Sequence, residues 1–169
     1  VPPAQIRGGP VVQLIDRPGA PQATVRLGYP VAPIGTEDAY RMTVMNAILG
    51  GSFTSRLTSN LREEHGWTYS PGSGVTNRLG SSYWTFNADI STPNTVEAFA
   101  EIFSEIQTLQ LTPPDEEEAG GMRNWLSGLF ILQNASTGGL IGQISNRDFF
   151  GLPDDYLETY VAIRYRIDP

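Results

Sequence analysis

The chain contains no cysteine, which excludes disulfides, thiol catalysis and cysteine-ligated metals. Lysine is absent too: all 11 basic residues are arginine, a bias better assigned to genomic composition than to a need for arginine at every site. Histidine occurs once, at His65, so neither a histidine-based zinc site nor a two-histidine relay can be assembled within the chain. No apolar run approaches the ~20 residues that span a bilayer. No signal peptide is visible. The lack of cysteine suits an oxidising compartment as well as the cytosol and does not choose between them.

What is present describes a folded globule. Of the 169 residues, 40% are hydrophobic and 17% charged, enough to bury a proper core in one domain spanning residues 1–169. The formal net charge of -7 disfavours nucleic acid or an anionic membrane as partner. Val1 at the start and Arg166-Ile167-Asp168-Pro169 at the end read as cut ends, so the expectation is a domain excised from a longer chain or a truncated subunit.

Residues 11–15 and 23–29 are short, partly alternating, β-branched runs, and Arg17-Pro18-Gly19-Ala20-Pro21 between them reads as a turn. Thr36 predicts a helix cap, with Glu37 and Asp38 in the positive first turn. Tyr40, Val44, Ala47 and Ile48 fall at helical spacing, and Gly50-Gly51 ends that helix. A second helix carries Phe53, Leu57 and Leu61 on one face. Strands are expected over 67–76 and 82–92, joined at Arg78-Leu79-Gly80. In the latter, Tyr83, Thr85, Asn87 and Asp89 alternate with Trp84, Phe86, Ala88 and Ile90, the mark of a sheet covered on one side.

Asn94 and Glu97 form a capping-box pattern for a helix expected to bury Val96, Phe99, Phe103 and Ile106, with Glu97, Glu101 and Glu105 as a solvated outer stripe. Thr112-Pro113-Pro114 opens another helix, and the acids at 115–118 suit its first turn better than a metal. Trp125, Leu129 and Leu132 are expected in the core. A helix over 138–150 breaks at Gly151-Leu152-Pro153 before a last one with Tyr156, Tyr160 and Ile163. Strands in pairs and helices in runs predict an α+β fold: two layers, an antiparallel or mixed sheet with helices packed on one face.

Chemistry has few places to sit. Leu61-Arg62-Glu63-Glu64-His65 matches the last two positions of the inverted zinc motif His-x-x-Glu-His, but leucine stands where the first histidine must be. His65 reads instead as a favourable cation near a helix C-terminus. Gly50-Gly51-Ser52 fits no phosphate-loop spacing and reads as a tight helix-to-helix turn. Taken alone, the chain shows no catalytic engine.

The strongest candidates are Arg62 and Tyr69. Gly66 sits where a left-handed residue ends a helix, so His65 becomes its Ccap and the Trp67 N–H is expected to reach the Arg62 carbonyl. The helix climbs back from Gly66 by ~1.5 Å per residue and the following strand by ~3.3 Å, placing Arg62 and Tyr69 about 6 and 10 Å from the turn. Their tips can therefore converge, joining a guanidinium to a phenol: donors for a peptide carbonyl or a developing oxyanion. The plain alternative is that Arg62 pairs with Glu63 or another acid and that Tyr69 is a core residue.

At these residues the sequence resembles the pitrilysin/insulinase family of zinc metallopeptidases, the inverzincins, and specifically the zinc-less half of that fold. The resemblance rests on Asn46-Ala47-Ile48-Leu49-Gly50-Gly51-Ser52-Phe53-Thr54-Ser55-Arg56-Leu57, on Leu61-Arg62-Glu63-Glu64 with Gly66 and Tyr69-Ser70, and on Arg17-Pro18-Gly19-Ala20-Pro21-Gln22. Phe149-Phe150-Gly151-Leu152-Pro153-Asp154-Asp155-Tyr156-Leu157 and then Tyr160 extend it over nearly the whole chain, in order.

The resemblance implies that zinc lies on a sister half or subunit carrying His-x-x-Glu-His, and that this chain holds no metal and is inactive alone. It implies that Arg62 would hold a substrate backbone carbonyl and Tyr69 would hydrogen-bond the tetrahedral oxyanion, and that an unfolded peptide adds as a strand to an exposed sheet edge. Many bacterial relatives act outside the cytoplasm, which implies a periplasmic or secreted setting. A missing closing helix after Asp168-Pro169 is a departure from the family pattern. The function expected is thus an accessory, substrate-binding domain of a zinc metallopeptidase. Its rivals are a non-proteolytic structural core subunit of the same fold and a peptide-binding module that grips extended chains without cutting.

Overall fold

A computed structural model describes residues 8–167. Strands β1 (Gln22–Val31), β2 (Gly72–Arg78) and β3 (Ser81–Ser91) form an antiparallel sheet in the order β1-β3-β2. The alternation along β3 explains its central place. Trp84, Phe86, Ala88 and Ile90 are all buried on one face, while Tyr83, Thr85 and Asn87 on the other remain partly open. Register is reinforced on the open face, where the Thr24 hydroxyl donates to the carboxylate of its cross-strand partner Asp89 at 2.6 Å.

Helices cover the apolar face. Helix α1 (Glu37–Asn46) begins at Thr36, whose hydroxyl accepts the Ala39 N–H at 3.3 Å. It runs on as a wider π turn over Ala47–Gly51. Helix α2 (Arg56–Thr58) likewise continues as a π turn over Ser59–Glu64. Helix α3 (Thr95–Leu111) follows the sheet. Leu57 and Leu61 of the α2 segment and Ile102 of α3 meet Phe86 and Ile90 of β3, all at 0% exposure. Burying each such side chain is worth about 1.5–3 kcal/mol. Helix α4 (Glu116–Asn134) is capped by the Asp115 carboxylate, which accepts the Glu118 N–H at 2.8 Å. Helices α5 (Thr137–Phe150) and α6 (Tyr156–Tyr165) complete the chain. Phe130 stacks on Tyr160 at 4.0 Å, tying α4 to α6. The result is the two-layer α+β arrangement, with an antiparallel sheet.

Several local expectations are corrected. Residues 11–15 form no strand: Val11, Val12, Leu14 and Ile15 are 72–91% exposed, because β-propensity yields a strand only where a partner strand is available. The segment 67–71 is irregular apart from one bridge between Thr68 and Ile90, and β2 starts only after Pro71, which has no N–H to give a ladder. Asn94 caps nothing; it lies in a 3-10 turn, where the Thr95 hydroxyl donates to the Thr92 carbonyl instead.

Helix α3 is rotated from the expected face. Val96 and Phe103 are 78% and 56% exposed, and small Ala98 with Ile102 faces the sheet. Phe99 and Ile106 pack at the edge of that core. Glu101 and Glu105 are not simply solvated, since each accepts an N–H of the Asn60 amide at 3.0 Å. In α4 the buried positions are Ala119, Arg123 and Ser127, whereas Trp125 and Leu132 are exposed and Leu129 is half-buried. Arg123 dictates that face by donating to the Ile167 carbonyl at 2.7 Å and pairing with Glu116.

Candidate functional site

The site is built where the end of α1 meets β2. Gly50 is required by proximity: a Cβ there would lie 2.6 Å from the Ser73 hydroxyl oxygen and 3.1 Å from its Cβ. The glycine pair is therefore a close-packing turn, as its spacing suggests, and brings helix backbone against the sheet edge. Asn46 fastens the contact. Its Oδ1 accepts the Ser73 hydroxyl at 2.8 Å and the Trp84 indole N–H at 2.9 Å, linking α1, β2 and β3 through one atom.

Beyond Ser52, the chain turns through Phe53 into α2. Ser55 and Thr58 exchange a hydroxyl hydrogen bond of 2.9 Å there. The π turn then changes the expected helix ending. The His65 N–H reaches back to the Asn60 carbonyl at 3.1 Å, and Gly66, with φ +65°, reverses the chain. The Trp67 N–H goes to the Leu61 carbonyl at 3.0 Å, not to Arg62, whose carbonyl takes the Gly66 N–H at 3.1 Å. The wider turn shifts each bond by one residue. The Ser91 N–H pins the reversed segment by donating to the Trp67 carbonyl at 2.9 Å.

Arg62 and Tyr69 are brought together. The Arg62 guanidinium carbon lies 4.9 Å from the centroid of the Tyr69 ring and 4.9 Å from that of Phe53. Tyr69 is 77% exposed, so it is not a core residue. The plain alternative for Arg62 is partly realised, since its Nε lies 3.1 Å from the Glu63 carboxylate. Phe53 does not share a face with Leu57 and Leu61 as its spacing suggests: those two are buried, whereas Phe53 is 68% exposed and stands beside Arg62. It precedes α2, so helical spacing does not apply to it, and no sequence signal marks it as a site residue.

These side chains line an open groove of about 630 Å³, together with Ser73, Val75 and Asn87 among others. Its wall is β2, an edge strand paired only with β3 among the described residues. Beyond Ser73, whose carbonyl already accepts the Asn46 amide at 3.5 Å, such an edge presents unpaired backbone groups to an extended chain. A phenol hydroxyl and guanidinium N–H groups on the rim are all donors.

The donor set does not fit zinc. Among the described residues no three His, Cys, Asp or Glu side chains are grouped to hold a metal ion. His65 stacks on Trp67 at 3.9 Å with an 11° interplanar angle. Two acids of the first α4 turn are engaged elsewhere: Glu118 binds Arg56 at 2.5 and 2.8 Å, and Glu116 pairs with Arg123. The hydrogen bond to Glu118 pushes the Arg56 pKa above its ordinary value.

Comparison with known proteins gives this geometry a context. The family model described as "Peptidase M16 inactive domain" matches residues 1–124. The uncharacterized zinc protease YmxG of Bacillus subtilis is 29% identical over 117 residues, covering 69% of this chain and 28% of its own length. The peptidase M16 inactive domain from Pseudomonas fluorescens superposes with a TM-score of 0.79 at 24% identity, over 87% of this chain and 35% of that one. A protease from Helicobacter pylori gives a TM-score of 0.80 at 20% identity, over 90% and 37%. The chain thus spans about a third of the length of these relatives.

Proposed function

The chain belongs to the peptidase M16 inactive-domain family, and from that premise we propose that it is an accessory substrate-binding domain of a zinc metallopeptidase. Residues 1–169 act as one domain beside a zinc-bearing half, carried by the same protein or by a sister subunit. That half supplies zinc and the attack of water on the peptide bond. This chain supplies grip and charge stabilisation.

In this reading an unfolded peptide lies along the groove as an added strand on β2, its backbone bonded to the free edge. Arg62 donates to a backbone carbonyl of the peptide. Tyr69 donates its hydroxyl to the carbonyl oxygen of the scissile bond as negative charge develops there. A donor aimed at a developing oxyanion, in a cleft closed to water, contributes about 3 kcal/mol. Neither group is consumed, so both serve every turnover.

The observation that carries the reading is the contact of the Arg62 guanidinium with the exposed Tyr69 ring, at 4.9 Å, on the rim of a groove walled by an edge strand. The test is cleavage of a quenched fluorescent peptide by the zinc-bearing half together with this domain or its Tyr69→Phe variant. Wild type is expected to restore turnover and Tyr69→Phe to lose ten-fold or more, which is about 1.4 kcal/mol of transition-state stabilisation. Equal turnover with both would make Tyr69 structural, and no turnover with either would favour a scaffold or a non-cleaving peptide-binding module.

A further inference from the structure

We propose that Phe53 is a positioning residue for Arg62, holding its guanidinium at the groove so that it can bind the peptide carbonyl. The inference rests on the preceding reading of Arg62 and adds a residue to it.

Three observations lead there. Phe53 contributes little to the core: at 68% exposure, most of its ring meets solvent, unlike Leu57 and Leu61 that follow it at 0%. An aromatic left in water gains nothing from burial, so its contact is the informative part. That contact is Arg62, whose guanidinium carbon is 4.9 Å from the ring centroid. Finally, among the described residues the one ionic neighbour of the part-buried Arg62 side chain is Glu63, next to it on the same helix and itself 60% exposed, at 3.1 Å.

The chemistry follows from how a guanidinium is held. Cation–π contacts engage the charged plane and leave N–H groups at its edge free to donate. Phe53 and Tyr69 share one guanidinium in this way, each at 4.9 Å. The arginine is thereby ordered before substrate arrives, and less side-chain entropy is lost when the carbonyl binds. Without Phe53, Tyr69 is the single ring left to oppose the pull of Glu63. The Tyr69 hydroxyl is free of this duty, since its ring makes the contact. Loss of Phe53 should therefore weaken peptide binding and spare the chemical step.

The test uses peptide cleavage by the complete protease, zinc-bearing half included, with Phe53→Leu, Phe53→Trp, Arg62→Gln, Phe53→Leu/Arg62→Gln and Tyr69→Phe. Because Phe53 is exposed, these changes at position 53 leave the core intact. Phe53→Leu keeps apolar bulk but removes the π face, and is expected to raise KM roughly three-fold with kcat little changed. Phe53→Trp, whose indole binds cations better, should restore the wild-type KM. In the Arg62→Gln background, Phe53→Leu should have no further effect. The inference is overturned if Phe53→Leu raises KM as much without Arg62 as with it, for Phe53 would then touch the peptide directly. It is also overturned if Phe53→Leu changes nothing while Arg62→Gln and Tyr69→Phe both lose activity. Unchanged kinetics in Arg62→Gln and Tyr69→Phe would remove the underlying reading and this inference with it.

Discussion

Asn46→Ala removes an oxygen on which two strands depend, along with an amide that donates weakly to the Ser73 carbonyl at 3.5 Å, and its cost can be worked from the contacts. The Trp84 indole N–H donates to Asn46 Oδ1 at 2.9 Å, and Trp84 is only 6% exposed, so its donor would be stranded. A stranded buried donor costs about 1–3 kcal/mol. The Ser73 hydroxyl, 2.8 Å from the same oxygen, stands at the groove and can turn to water, so losing it adds a smaller amount, about 0.5–1 kcal/mol. Together these come to about 1.5–4 kcal/mol. For a domain of this size that lowers Tm by about 3–16 °C, at 2–4 °C per kcal/mol. Asn46→Asp keeps an acceptor for both donors and gives up only the weak amide contact with the Ser73 carbonyl, so it should lose less. Urea unfolding, followed by tryptophan fluorescence, gives both values from the shift in midpoint. If alanine and aspartate lose equally, or if alanine changes stability by under about 0.5 kcal/mol, then the shared acceptor is not what ties β2 to α1.

Gly66 adopts φ +65° with open space around it, so Gly66→Ala meets no clash and should cost only the left-handed backbone term, about 1–2 kcal/mol. Gly66→Asn should cost less, because asparagine tolerates that conformation; equal losses in urea unfolding would refute the backbone argument. Burial raises the Tyr156 pKa above the ordinary phenol value of 10.0. Above pH 10 the unfolded chain therefore gives up this proton while the folded one keeps it, so stability should fall with pH by up to about 1.4 kcal/mol per unit. Tyr156→Phe should remove that component of the slope, and an unchanged slope in alkaline thermal melts would sink the assignment.

Much of the architecture was legible because it follows from local rules. The alternation in β3 gave a one-sided sheet, since side chains on a strand point to opposite faces. Thr36 and Asp115 cap their helices as their residue types suggest. Gly66 turns left-handed where a helix must stop, and this places Arg62 and Tyr69 within reach of each other. What was not legible depended on packing. No spacing rule separates an α from a π turn, yet the π turn over Ser59–Glu64 reroutes the Trp67 N–H to Leu61. Helical periodicity pointed to Val96, Phe99, Phe103 and Ile106 as the buried face of α3, but the closer fit of Ala98 against the sheet turned Val96 and Phe103 outward. Nothing in the sequence marks Arg123 for burial; the Ile167 carbonyl, 44 residues on, and the Glu116 carboxylate of the same helix are what allow α4 to bury it.

The residues alone determined that this chain has no thiol chemistry and no histidine-built metal site, because the necessary atoms are missing from its composition. They also determined the one-sided strand β3, most helix boundaries and the Arg62–Tyr69 spacing, all of which come from interactions within a few positions along the chain. Only the tertiary structure decided that β2 is the edge that walls the groove, and that Asn46 fastens it through Ser73 and Trp84. It alone placed Phe53 against Arg62. These are contacts between segments far apart in sequence, and their formation depends on which surfaces fit once the core has closed.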